Sequence, residues 1–153
     1  MAMKEVSIYI VSGIKSLRKQ DGMVGCCLEC YMRGSKYPET RKHFYPVENV
    51  TRNQSELISL IKALKHLNKK CILTIYTESP YVYQGFAGAY LVEKWIKSGW
   101  KTGKNVEVKN RDLWQEALKK LNGNIYTFML NETNAYVNML HQEIEKRERM
   151  KNV

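Results

Sequence analysis

Val6-Ser7-Ile8-Tyr9-Ile10-Val11 is rich in β-branched and aromatic residues and predicts a first strand, closed by Ser12-Gly13. A polar loop with Lys15, Arg18, Lys19, Asp21 and Gly22 leads into a second strand over roughly 23–32, and a third lies near 42–47. Three strands in succession with short turns predict an antiparallel meander. The period then changes. Leu57, Leu60, Ile61, Leu64 and Leu67 recur at helical spacing while Lys62, Lys65 and Asn68 face away, and Asn53 to Glu56 has the form of a capping box. Next, Cys71-Ile72-Leu73-Thr74-Ile75-Tyr76-Thr77 reads as a buried central strand. It ends at Glu78, and Ser79-Pro80 supplies an N-cap followed by a first-turn proline, so a helix begins at once. Arg111 to Leu121 is a further helix with Leu113, Trp114, Ala117, Leu118 and Leu121 inward, stopped by Asn122-Gly123. A fifth strand spans Asn124 to Leu130, and a last helix starts near Thr133 and runs out through the charge-laced Glu143 to Arg149.

With 153 residues, 44% hydrophobic and 26% charged, the expectation is one globular domain over 1–153. Composition changes the picture mainly through charge. Lys and Arg number 25 against 15 Asp and Glu, a net charge of +10, which favours a polyanionic partner such as nucleic acid. No apolar run approaches the length of a membrane span, and Met1 to Glu5 does not read as a signal peptide, so a cytoplasmic monomer without a membrane partner is expected. Three of the four cysteines crowd into Cys26-Cys27-Leu28-Glu29-Cys30. Strand alternation puts Cys27 on the face opposite Cys26 and Cys30, so free thiols are expected rather than a zinc site. His43, His66 and His141 are scattered without an evident partner and read as ordinary surface residues.

Candidate chemistry gathers from Glu78 onward. Lys94-Trp95-Ile96-Lys97-Ser98-Gly99-Trp100-Lys101-Thr102 and then Val108-Lys109-Asn110-Arg111-Asp112-Leu113-Trp114 set cations and indoles beside a carboxylate at a strand end, which suggests a phosphate-bearing polymer. Tyr81-Val82 with Gln84-Gly85, Gly99-Trp100-Lys101-Thr102, and Lys109-Asn110 with Asp112-Leu113-Trp114-Gln115 resemble type 1 ribonuclease H in order and spacing. The resemblance extends over essentially the whole chain. It implies an α/β ribonuclease H-like fold, a five-stranded mixed sheet in the order βββαβααβα with an extra helix in a basic protrusion.

In that family the mixed sheet sets the ends of strands one and four side by side, and ligands of such sheets sit outside the strand C-terminal ends. Val11, Glu78 and the first turn of the Glu56 helix are therefore expected to converge. The resemblance further implies endonuclease cleavage of the RNA strand of an RNA–DNA hybrid by two magnesium or manganese ions, held by four acids, with no organic cofactor. Only two of those positions are acidic here, Glu56 on the first long helix and Glu78 after strand four. They are the candidate catalytic and metal-binding residues. The strand-one position, which bridges both metals in the family, is Val11, and the last-helix position is Asn138. The extra methylene of Glu78 is expected to push its carboxylate further into the site. The histidine loop of the family is cut down, since Leu130-Asn131-Glu132-Thr133 contains no histidine. By resemblance, Thr51 and Asn53 fall on the surface that meets the hybrid, Asn53 at a position that reads its minor groove. Lys94, Lys97, Lys101, Lys104, Lys109 and Arg111 are candidates to neutralise its phosphates. Trp95, Trp100 and Trp114 are expected to pack the protrusion's helices rather than to stack on bases.

Three functions remain distinct at this stage. The first is a degenerate ribonuclease H that binds hybrid or duplex RNA with lost or strongly reduced cleavage. The second is an active nuclease rebuilt around Glu56 and Glu78. The third is a protein-interaction module that keeps only the fold.

Overall fold

The computed structural model describes residues 3–131 and 134–151, so the expected helix start at Thr133, with Glu132 before it, lies outside the described residues. The elements are β1 (Lys4–Ser12), β2 (Gln20–Tyr31), β3 (Pro38–Val50), α1 (Arg52–Leu64), β4 (Cys71–Thr77), α2 (Pro80–Phe86), α3 (Leu91–Lys97), α4 (Arg111–Leu121), β5 (Ile125–Leu130) and α5 (Ala135–Lys151). The strands form one five-stranded sheet in the order β3-β2-β1-β4-β5. β1 to β3 are an antiparallel meander, while β4 runs parallel to both β1 and β5. This is the expected mixed α/β sheet, with α3 as the additional helix of the basic segment.

Several boundaries differ from the sequence pattern for identifiable reasons. β2 begins at Gln20, so Asp21 and Gly22 lie in the strand and not in a loop; its pairing with β3 shifts register between Gln20 and Gly22, which breaks the alternation. β3 starts at Pro38, and Glu39 to Lys42 are exposed, leaving no apolar period to read there. The capping box of α1 is Thr51 with Gln54, not Asn53 with Glu56. The Thr51 hydroxyl accepts from the Gln54 N–H at 3.2 Å and the Gln54 side-chain oxygen accepts from the Thr51 N–H at 2.9 Å. α1 ends at Leu64, although Leu67 beyond it still packs on the core.

Alternation along β1 divides the interior between two faces. Ile8 and Ile10 join Leu57, Leu60, Leu73, Ile75, Trp114 and Leu121 beneath α1 and α4. Tyr9 and Val11 join Cys27, Val137, Leu140 and Ile144 beneath α5. Cys26 and Cys27 thus face opposite sides, as alternation requires, and burial pushes their thiols up to about 12 and about 11.

Trp114 anchors the first of these clusters. It is fully buried, with Tyr81, Phe86 and Trp95 ring centroids at 5.0, 5.3 and 5.3 Å, and its indole N–H donates to the Tyr81 hydroxyl at 3.0 Å. Its ring lies so close to α2 that a Cβ on Gly85 would approach it to 2.3 Å. Trp100 is also buried and packs against Trp95 at 6.0 Å, so the indoles serve packing as expected.

Two of the histidines are not the isolated surface residues expected. His43 of β3 stacks on His66, just past α1, with centroids 3.6 Å apart, and Tyr45 hydrogen-bonds the His66 ring. Burial, then the neighbouring His43 and Arg41, lower the pKa of His66 from its ordinary 6.5. The unfolded chain therefore takes up this proton before the folded one does. The stability tied to His66 is fully present above pH 6.5 and is lost as pH falls below it through the lower folded value.

Both features can be measured. Trp114→Ala should lower unfolding free energy by about 3–5 kcal/mol in urea titrations, with little change in the slope m. Thermal melts from about pH 7 to about pH 5 should show a fall in Tm that His66→Gln flattens.

Candidate active site

Parallel pairing of β1 with β4 brings Ser12 and Thr77 to the same edge of the sheet, and α1 starts beside them. A cleft of about 450 Å³ opens there, bordered by Val11, Lys15, Arg52, Glu56, Glu78 and His141. The expected convergence of Val11, Glu78 and the first turn of α1 is present.

A relay of hydroxyls fastens the cleft floor. The Ile14 N–H donates to the Ser12 hydroxyl at 3.0 Å, and the Ser55 hydroxyl donates to the Arg52 carbonyl at 2.7 Å. The Ser12 proton is then left to donate to the Ser55 oxygen, 2.6 Å away. Ser55 is fully buried, so this chain fixes the end of β1 to the first turn of α1.

Both surviving carboxylates are already engaged by cationic or basic side chains. Glu56 is 9% exposed and accepts from the Arg52 Nε at 3.0 Å. Glu78 reaches across to α5 and pairs with His141 Nε2 at 2.5 Å. The hydrogen bond from His141 is the main cause holding the Glu78 carboxyl below its usual value, and the nearby Arg52 charge acts in the same direction against partial burial. Arg52 therefore acts on both acids. The longer arm of Glu78 spans to His141 of α5, which borders the same cleft. The expectation that His141 is ordinary is corrected: it lies one helical turn beyond Asn138, and no spacing in the sequence ties residues 63 positions apart.

Val11 and Asn138, which the resemblance matches to the other two acids, offer no carboxylate to this cleft. Val11 is 3% exposed and extends the α5-side core with Val137, Leu140 and Ile144. Asn138 is exposed on α5 and is not among the residues bordering the cleft. Two divalent ions need several anionic oxygens to offset their mutual repulsion. Here the two carboxylates that border the cleft hold Arg52 and His141. That donor set does not fit a two-metal arrangement. Among the described residues no three His, Cys, Asp or Glu side chains come together in a cluster suited to a metal.

The basic segment has the exposure its candidates require. Lys94 and Lys97 on α3, and Lys101, Lys104 and Lys109 in the following loop, are all exposed. Arg111 is half-buried and shares its charge with Glu107 at 3.2 Å. Thr51 is committed to capping α1, and Asn53 is half-buried in its first turn. A hydrogen-bonded network that the sequence did not signal joins this surface to α1. The Gln54 amide donates to the Asn110 carbonyl oxygen at 3.1 Å, and the Asn110 amide donates to the Tyr81 hydroxyl at 3.0 Å, which also accepts from Trp114. The first turn of α1 thus borders both the acidic cleft, through Arg52 and Glu56, and a groove at the base of the protrusion, through Gln54.

The sheet order, the cleft at the β1 and β4 ends and the basic protrusion define a ribonuclease H-like class of protein. The RNase H family model matches residues 4–148, and the chain belongs to that family. It is 41% identical over 119 residues to a Ribonuclease H of Caldicellulosiruptor saccharolyticus, covering 78% of this chain and 77% of that protein. With a Ribonuclease H of Lachnoclostridium phytofermentans it shares 35% over 124 residues, covering 81% and 77%. Among solved structures, LC9-RNase H1, a type 1 RNase H with the type 2 active-site motif, superposes with a TM-score of 0.81 at 20% identity, covering 95% of this chain and 72% of that one. The foamy viral protease-reverse transcriptase in complex with RNA/DNA hybrid superposes at 0.71 with 13% identity, covering 94% and 20%. At these identities the two structures establish the fold.

Removing the floor relay should be measurable. Ser55→Ala removes the bonds that tie Ser12 to the Arg52 carbonyl and should cost about 0.5–1.5 kcal/mol in chemical denaturation.

Proposed function

We propose that this chain binds RNA–DNA hybrid or duplex RNA and that its two-metal endonuclease activity is lost or strongly reduced. The observation that carries this reading is the state of the cleft acids: Glu56 is bonded to Arg52 and Glu78 to His141, while the bridging position is a buried valine. Family membership and the exposed lysines support the binding half. Lys94, Lys97, Lys101, Lys104 and Lys109 neutralise backbone phosphates, and Thr51 and Asn53 face the groove of an A-like duplex. The network from Gln54 through Asn110 to Trp114 holds these two surfaces in fixed relation.

A second reading has its own support. The 41% identity to a protein named Ribonuclease H favours an active enzyme that uses magnesium or manganese at Glu56 and Glu78. One assay separates the two. A labelled hybrid is incubated with the protein in Mg²⁺, in Mn²⁺ and in EDTA across a salt series, with binding and cleavage followed together. The expected result is salt-sensitive binding without cleavage. Charge reversal of Lys97, Lys101 and Lys104 to Glu should then lower the slope of log affinity against log salt by about 0.9 for each phosphate no longer neutralised. Cleavage that vanishes in EDTA and in Glu78→Gln would establish the rebuilt nuclease instead.

A further inference from the structure

We infer that the chain's own cations occupy the role of the metal ions in this cleft, so that a backbone phosphate docks directly on Arg52 and Lys15 and binding needs no divalent cation. The inference rests on the binding half of the proposed function and adds how the cleft itself takes part.

The first support is charge. The ionisable residues bordering the cleft are Lys15, Arg52, Glu56, Glu78 and His141. Two cations balance two carboxylates even with the histidine neutral. A site with four carboxylates repels a phosphodiester until metals are bound, because like charges at contact distance in a partly desolvated cleft cost several kcal/mol. This cleft carries no such excess. Glu56 and Glu78 are the carboxylates that border it, and Lys15 and Arg52 offset them.

The second support is the position of Arg52. Its Nε is bonded to Glu56 at 3.0 Å, and its charge also lowers the pKa of Glu78. The guanidinium is thus near both acids, where a cation shared between them would act. Among the described residues its remaining N–H groups have no hydrogen-bond partner, and the side chain is 43% exposed. Guanidinium presents several donors in one plane, so it can hold a carboxylate on one edge and a phosphate on another. Lys15 is exposed at the rim of the same cleft.

The third support is placement. Arg52 and Gln54 lie in the same helical turn, one at the cleft and the other at the groove beneath the basic protrusion. A duplex whose phosphates are gripped by the protrusion lysines therefore has the first turn of α1 beside it, and a further phosphate on Arg52 continues that grip.

The test is a fluorescence-anisotropy titration of labelled RNA–DNA hybrid with the full chain at fixed ionic strength, in EDTA and in Mg²⁺. Wild type, Arg52→Gln, Arg52→Lys and the Lys97, Lys101, Lys104 charge-reversal variant are compared, each checked by thermal melt. Wild-type affinity should agree within about two-fold with and without Mg²⁺, Arg52→Gln should weaken binding in EDTA by about ten-fold and lower the salt slope by about 0.9, and Arg52→Lys, which keeps the charge but not the two-edged fork, should fall between the two. Mg²⁺ tightening wild-type binding about ten-fold would overturn the inference, as would Arg52→Gln binding like wild type in EDTA. If Arg52→Gln fails to fold, Lys15→Gln at the exposed rim takes its place: weaker binding in EDTA supports the cleft phosphate, and wild-type binding overturns it. Binding that is abolished by charge reversal of the protrusion but indifferent to Arg52→Gln defeats only the cleft assignment. An absence of any hybrid binding defeats the proposed function and this inference with it.

Discussion

Two carboxylates fixed at the edge of a buried sheet must be neutralised, and the rest of the site follows from how that is done. Parallel pairing of β1 and β4 delivers Glu78 to one side of the cleft, and the hydroxyl relay from Ser12 to Ser55 holds the turn of α1 that carries Glu56. In water such acids would be screened cheaply; Glu56, nearly buried, needs a cation at contact distance, and the more exposed Glu78 does so less. Metal ions are the family's solution. In this chain Arg52 meets Glu56 with its charge and His141 meets Glu78 with a hydrogen bond, both from within the protein.

That substitution connects the core to the surface. Val11 carries the α5-side cluster of Tyr9, Cys27, Val137, Leu140 and Ile144 to the border of the cleft. α5 is thereby packed where His141 can meet Glu78. Arg52 needs no such distant support, because it lies one turn before Glu56 on the same helix, the favourable spacing for an ion pair. The protrusion is held by different means: buried indoles and the Gln54, Asn110 and Tyr81 hydrogen bonds, which leave its lysines exposed. The result is a cationic face and a charge-balanced cleft on adjacent parts of one scaffold.

The fold was legible because its signals are local. β-branched runs marked β1 and β4, Ser79-Pro80 marked α2, and leucine spacing marked α1. Motif position placed Val11, Glu56 and Glu78 together, and all three border one cleft. What remained hidden depends on pairings between distant residues. His141 gains its role from a residue 63 positions away, and the His43–His66 stack joins an edge strand to the turn after a helix. Exposed Glu39 to Lys42 carry no apolar period, so the first half of β3 gave no signal. Arg52 was within reach of sequence reasoning, as an i, i+4 partner of Glu56, but the cleft had been read through its acids alone.

Whether protein cations stand where metals would is tested most directly by Mn²⁺ binding, measured by electron paramagnetic resonance. The free-ion signal is followed as wild-type protein is added, with Glu56→Gln and Glu78→Gln as controls. The signal should keep its full amplitude at submillimolar Mn²⁺, because the carboxylates are already paired. A stoichiometric loss of signal with wild type that disappears in both variants would contradict this, and would place a metal in the cleft.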